Sequence, residues 1–138
     1  MSMGGDFYAL SDDQLQRMLE GSLDYAEFLY GEIEEKPREC YSRGEHLWYE
    51  LTRLLQNEEA CGMEQTDAIP EFSGYSWSGD VASTAKRLTA LSEDQIRHRH
   101  DDENIEAPID EVLDIVKGVV EFYARAAANG DAVLFRVT

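Results

Sequence analysis

Val112, Ile115, Val116, Val119, Val120 and Tyr123 recur at three- and four-residue steps, which places them on one face of an α-helix. Pro108 stands where a first helical residue would, a place where its missing N–H is no loss. Asn129-Gly130 follows the last alanines and can supply the left-handed turn that ends a helix. Ala132, Val133, Leu134, Phe135 and Val137 then form a short β-rich run. The sequence thus reads as its longest helix followed directly by a strand.

The strand needs a partner, and the other end of the chain offers one. Phe7, Tyr8 and Leu10 predict a short strand behind the flexible Gly4-Gly5. Between the two ends the pattern is helical. Ser11-Asp12-Asp13-Gln14 is a capping box and opens a helix from about Asp12 to Leu19, broken by Gly21-Ser22. A second helix is expected from about Leu23 to Glu34, with an apolar set broad enough for burial on two sides. Leu47, Trp48, Leu51, Leu54 and Leu55 mark a third, from about Gly44 to Gln56. Glu58 to Ser76 lacks periodicity and contains Gly62, Pro70 and Gly74, so it reads as a long loop with a brief extended piece at Tyr75–Trp77. Ser78 or Gly79 can cap a fourth helix running to about Leu91, and Ser92-Glu93-Asp94-Gln95 is a second capping box for a short helix to about His100. The expectation is a single mostly helical α+β domain over residues 1–138, with a small sheet formed by the N- and C-terminal strands and packed under helices.

The order of these features resembles the YfbM-like family of small bacterial proteins. The resemblance rests on Met3-Gly4 with Phe7 and Tyr8 close behind, and on the turn into a capped helix at Ser11. It continues with His46-Leu47-Trp48-Tyr49-Glu50-Leu51, Tyr75-Ser76-Trp77, Leu91 to Arg97, and Phe122-Tyr123 through Ala126, Ala127, Gly130 and Ala132 to Leu134. It covers nearly the whole chain. It implies a small cytosolic α+β domain and brings no activity and no catalytic residues. This chain departs from the family where Asn57 and Glu58 stand in place of a Thr-Gly pair after the Trp-containing helix.

Charge narrows the function classes. Asp and Glu number 29 against 12 Lys and Arg, a formal net of −17. Phosphate recognition needs a basic footprint, so neither a nucleic-acid partner nor an anionic membrane is expected. A basic protein partner is. No apolar run approaches the ~18 residues of a membrane span, and a cytoplasmic protein is expected. Cys40 and Cys61 fit ordinary thiols in a reducing compartment, with a bridge or a catalytic thiol as the alternatives.

No motif fixes an enzyme: there is no nucleophile elbow, phosphate loop or dinucleotide glycine pattern. His98 and His100 are the best metal candidates, but two residues apart on a helix they point about 200° apart, and no cofactor or metal is expected. The preferred reading is a non-enzymatic, acidic, inhibitor or immunity-type protein that covers a basic surface. Its candidate partner-binding residues are Glu64, Asp67, Glu71, Tyr75 and Trp77, where aromatics adjoin acid. To these are added Asp101, Asp102, Glu106, Asp110 and Asp114, at the start of the long helix. The alternative is an enzyme or small-ligand binder with a pocket near His46, Trp48, Tyr75 and Trp77.

Overall fold

A computed structural model of the chain describes residues 5–24, 27–28, 37–41, 48–58, 60, 64–65 and 73–137, leaving aside the side chains of residues 48, 49, 64 and 65. In chain order the elements are β1 (Gly5–Leu10), α1 (Asp12–Glu20), β2 (Glu39–Tyr41), α2 (Trp48–Leu54), a 3-10 turn (Gln56–Glu58), β3 (Glu64–Gln65), β4 (Ser73–Ser76), α3 (Ser78–Thr89), α4 (Glu93–Asp102), α5 (Ile109–Ala128) and β5 (Ala132–Val137).

The two chain ends pair, as their apolar runs predict. β1 and β5 run antiparallel in the middle of the sheet, with Phe7 opposite Phe135 and Tyr8 opposite Leu134. They are not alone, however. Among the described residues the sheet has five strands in the order β2-β1-β5-β4-β3, and every pairing is antiparallel. β2, with Cys40 opposite Tyr8, carries too short a pattern to announce itself. Part of the expected Glu58–Ser76 loop is strand as well. β4 contains a glycine and two serines and has little strand preference of its own. It forms because β5 presents an open edge to it, with Tyr75 opposite Leu134.

Burial corrects a further expectation. The sheet does not lie under helices but between them. Phe7, Ala9, Val133, Phe135 and Val137 face α2–α5 and pack with Leu51, Leu54, Val81, Leu88, Val116, Val119, Phe122 and Tyr123. Tyr8, Leu10, Ala132 and Leu134 face the other way and pack with Leu15 and Met18 of α1, and with Leu23 and Phe28. The signal for this was in β5 itself, whose residues are all buried. A near-continuous apolar run, rather than an alternating one, belongs to a strand covered on both faces. The expected Leu23–Glu34 helix lies mostly outside the described residues; Glu27 and Phe28 are helical.

Helix ends follow the local chemistry. Both capping boxes form, at Ser11 with Gln14 and at Ser92 with Gln95. Pro108 is the cap of α5 rather than its first residue, with Ile109 following. At the far end Gly130 adopts φ +70°. The Asp131 N–H bonds to the Ala126 carbonyl at 2.9 Å and the Gly130 N–H to the Ala127 carbonyl at 3.1 Å, the doubly bonded glycine stop that turns α5 into β5. Midway along α5, Gly118 lets Tyr41 of β2 approach. Any Cβ there would overlap the Tyr41 ring, whose hydroxyl donates to the Ile115 carbonyl at 3.2 Å. Among the described residues no helix is long and apolar enough to cross a membrane.

Candidate functional site

The acidic residues singled out at the start of the long helix gather at one turn, and the fold holds that turn tightly. α4 ends at Asp102, and Ile105, buried in the core, anchors the link to α5. The His100 Nε2 lies 2.7 Å from the Ala107 carbonyl oxygen. A carbonyl only accepts, so Nε2 carries the proton and His100 clamps the end of α4 to the start of α5. That gives His100 a structural post. His98 is exposed and pairs with Asp102 at 3.1 Å, one turn along the same helix. Among the described residues no group of three or more His, Cys, Asp or Glu could hold a metal ion.

Two arginines fasten the turn to α2. Arg53 reaches Glu103 with Nε and Nη2 to Oε2 at 3.1 and 2.6 Å, and with Nη2 to the backbone oxygen at 3.0 Å. Arg99 donates to both oxygens of Glu58, at 2.5 and 3.0 Å, and to the Leu54 carbonyl at 3.0 Å. Glu58 is buried at 7% exposure, and this forked pairing supplies a hydrogen bond to each of its oxygens. Hydrogen bonding to Glu58 raises the Arg99 guanidinium above its ordinary range, with burial working the other way. Glu58, on the 3-10 turn that follows α2, is thus a rivet between α4 and the end of α2.

Asp101, Asp102, Glu106, Asp110 and Asp114 are all exposed. Beside them a groove of about 400 Å³ opens between the end of α3, the start of α4 and the outer shoulder of α5. Its floor is Leu88, Ile96 and Val116, all buried. Leu91, Leu113 and Val120 are half-buried along its sides, and Glu93, Lys117 and Glu121 are exposed at its rim. A second, polar hollow of about 240 Å³ lies around Arg53, Asn57, Arg99 and Glu103, over the two rivets.

The other candidates lie elsewhere. Tyr75 and Trp77 form a T-shaped pair, centroids 5.7 Å apart, half-buried against the α1 side of the sheet. Glu64 is the strand partner of Tyr75 across β3–β4; Asp67 and Glu71 lie outside the described residues. The aromatic pair and the acidic turn are therefore on opposite sides of the sheet. Of the alternative pocket set, His46 and the side chain of Trp48 lie outside the described residues.

Two acids away from the acidic turn were not foreseen. Asp12, in the first turn of α1, accepts from the Ser78 N–H at 2.9 Å and from the Ser78 hydroxyl at 2.5 Å. It thereby caps α3 from across the fold, where the sequence suggested that Ser78 or Gly79 would serve. Asp131, 1% exposed, lies 3.3 Å from Arg38, yet neither carboxylate oxygen accepts a hydrogen bond among the described residues. Burial holds the Asp131 carboxyl above the usual carboxylate range; Arg38 pulls it down and Asp12 pushes it up. The folded protein thus binds this proton more tightly than the unfolded chain does. The charged form weighs against stability at neutral pH, and that penalty fades as pH falls through the raised value toward 3.8. Asp131→Asn is expected to raise the unfolding free energy at pH 7 by on the order of 1 kcal/mol, read as a higher urea midpoint, with the gain shrinking as pH approaches 4. A variant less stable at pH 7 would mean that the Arg38 contact outweighs the burial.

Comparison with known proteins agrees with this architecture. A family described as a domain of unknown function, DUF1877, matches residues 1–136. The chain belongs to the DUF1877 family. A similar solved structure is that of YfbM from Escherichia coli, itself described as a protein of unknown function. It is 17% identical, with a TM-score of 0.67 over 98% of this chain and 99% of that one. At that identity the likeness shows the DUF1877 fold and nothing of its chemistry. No curated protein matches in sequence.

Proposed function

We propose that this DUF1877 protein acts in the cytoplasm by binding another protein, as a non-enzymatic inhibitor or immunity-type protein that covers a basic surface on its target. The observation that carries this reading is the density of acid at the α4–α5 turn. Spread evenly over 7417 Å² of surface, the net charge of −17 would put about two charges on a standard ~800 Å² interface patch. The turn instead carries Asp101, Asp102, Glu103, Glu106, Asp110, Glu111 and Asp114, with no Lys or Arg between Arg99 and Lys117. Arg53 pairs with Glu103 and His98 with Asp102; Asp101, Asp102, Glu106, Asp110, Glu111 and Asp114 are all exposed. Such a field speeds encounter with a basic partner more than it fixes affinity. The rigid clamping by His100, Arg53 and Arg99 means little is lost in ordering the turn on binding.

The test uses charge removal at exposed positions. Partners captured from the source lysate at low salt are eluted in salt steps, with wild type and Glu106→Gln/Asp110→Asn compared side by side. A basic protein released at moderate salt, whose association rate falls about tenfold in the variant, is the expected result. A captured protein whose binding ignores both salt and the substitutions would sink the reading.

A further inference from the structure

Two of the chain's 3 histidines lie near the end of α4, and each has a carboxylate of the acidic turn beside it. His98 Nε2 is 3.1 Å from Asp102 Oδ2, and His100 Nδ1 is 3.8 Å from Asp101 Oδ1. We infer that these two histidines make the turn's hold on a basic partner depend on pH, their imidazoliums covering Asp102 and Asp101 in mild acid and weakening the complex; this rests on the protein-binding reading above.

The geometry lets the charge change while the turn keeps its shape. Neutral His100 carries its proton on Nε2 and donates it to the Ala107 carbonyl, so Nδ1 is the nitrogen left to take up a second proton. The clamp between α4 and α5 survives, and the new charge arises beside Asp101. At 3.8 Å that pair is too long for a hydrogen bond but close enough for an ion pair. His98 is exposed, and its contact with Asp102 is an ion pair only in the imidazolium form.

The surrounding charges favour the effect. α4 brings Asp94, Asp101 and Asp102, while its Arg97 and Arg99 are tied to Glu93 and Glu58. α2 brings Arg53, which is tied to Glu103. Beyond Glu103, the link and α5 bring Glu106, Asp110, Glu111 and Asp114, with no Lys or Arg before Lys117. Histidine is the side chain whose ordinary titration falls between pH 5 and 8, above the ordinary range of carboxylates. Across that window the turn gains up to two positive charges while its carboxylates stay ionised, and the field that draws in a basic partner weakens.

The probe is dodecalysine, which keeps its charge throughout this window. It is titrated into the isotope-labelled full chain at low salt, at pH 7.5 and at pH 5.5. Backbone NMR signals of residues 101–114 report its binding, and the histidine ring signals report protonation in the same samples. Binding at the turn is expected to weaken about tenfold from pH 7.5 to pH 5.5, in step with the ring signals. His98→Gln should hold the pH 7.5 affinity within about twofold and cut the drop to about threefold. His98→Gln/His100→Gln should nearly abolish the drop; since His100 is also a clamp, the exposed single variant decides the matter where the double one is loosened. Equal affinity at both pH values, or a full drop in His98→Gln, overturns the role of the histidines and leaves the salt-dependent reading of function standing. Dodecalysine signals that appear only away from the turn overturn both, since the ridge is then not the site. A lysate partner whose capture ignores salt, with dodecalysine still released from the turn by acid, would remove the functional reading instead.

Discussion

Phe7→Ala is expected to remove about 3–5 kcal/mol of stability, a large part of the 5–15 kcal/mol typical of a domain. Phe7 is fully buried in the middle of the central strand pair. Its ring packs 4.7 Å from Phe135, 6.1 Å from both Phe122 and Tyr123, and 6.3 Å from Tyr41, centroid to centroid. Those rings belong to β5, α5 and β2, so one deletion empties the place where three elements converge. Each is held by the others, and the cavity cannot collapse without moving a strand. Urea unfolding followed by circular dichroism measures the loss. Should the alanine variant fail to fold, Phe7→Leu keeps most of the volume and should cost about 1–1.5 kcal/mol. An alanine variant within 1 kcal/mol of wild type would mean that this aromatic cluster is not the keystone of the core.

The second large effect concerns a charge. Arg99→Leu leaves Glu58, buried against α2, with no cation, and about 3 kcal/mol should be lost. Removing both partners is a different experiment. Arg99→Leu/Glu58→Leu replaces a buried ion pair with apolar bulk and should recover most of the deficit. A double variant as unstable as the single one would show that the Leu54 carbonyl, which Arg99 also holds, matters more than the carboxylate. The functional consequence is shared by the two variants. Both remove the Arg99 tie between α4 and α2 and leave only the one from Arg53 to Glu103, so both should blunt capture of a basic partner if the clamped turn is what binds, even where the double variant is stable.

Much of this architecture was legible in the residue order, and the reasons are local. The run from Val112 to Tyr123 needs only helical periodicity to declare its buried face. The Ser11–Gln14 and Ser92–Gln95 boxes need only four residues each. Gly130 announces the reversal that brings β5 back, and two apolar ends with strand character find each other. The acidic turn was legible for the same reason: its carboxylates are neighbours along the chain.

What the residue order could not decide is whatever depends on pairs distant in sequence. β2, β3 and β4 have weak strand character of their own, and the register opposite β1 and β5 makes them strands. Glu58 looked like an ordinary loop acid until Arg99, 41 positions on, came to meet it. The same holds for Asp12 and Ser78, 66 apart. The groove exists only because three helices leave a gap where Leu91, Leu113 and Val120 are not covered. Local signals in this protein set the elements and where each one ends. Tertiary packing alone set which charges are rivets, which stay exposed, and where an apolar surface remains open, because burial and pairing are properties of neighbours in space and not of neighbours in the chain.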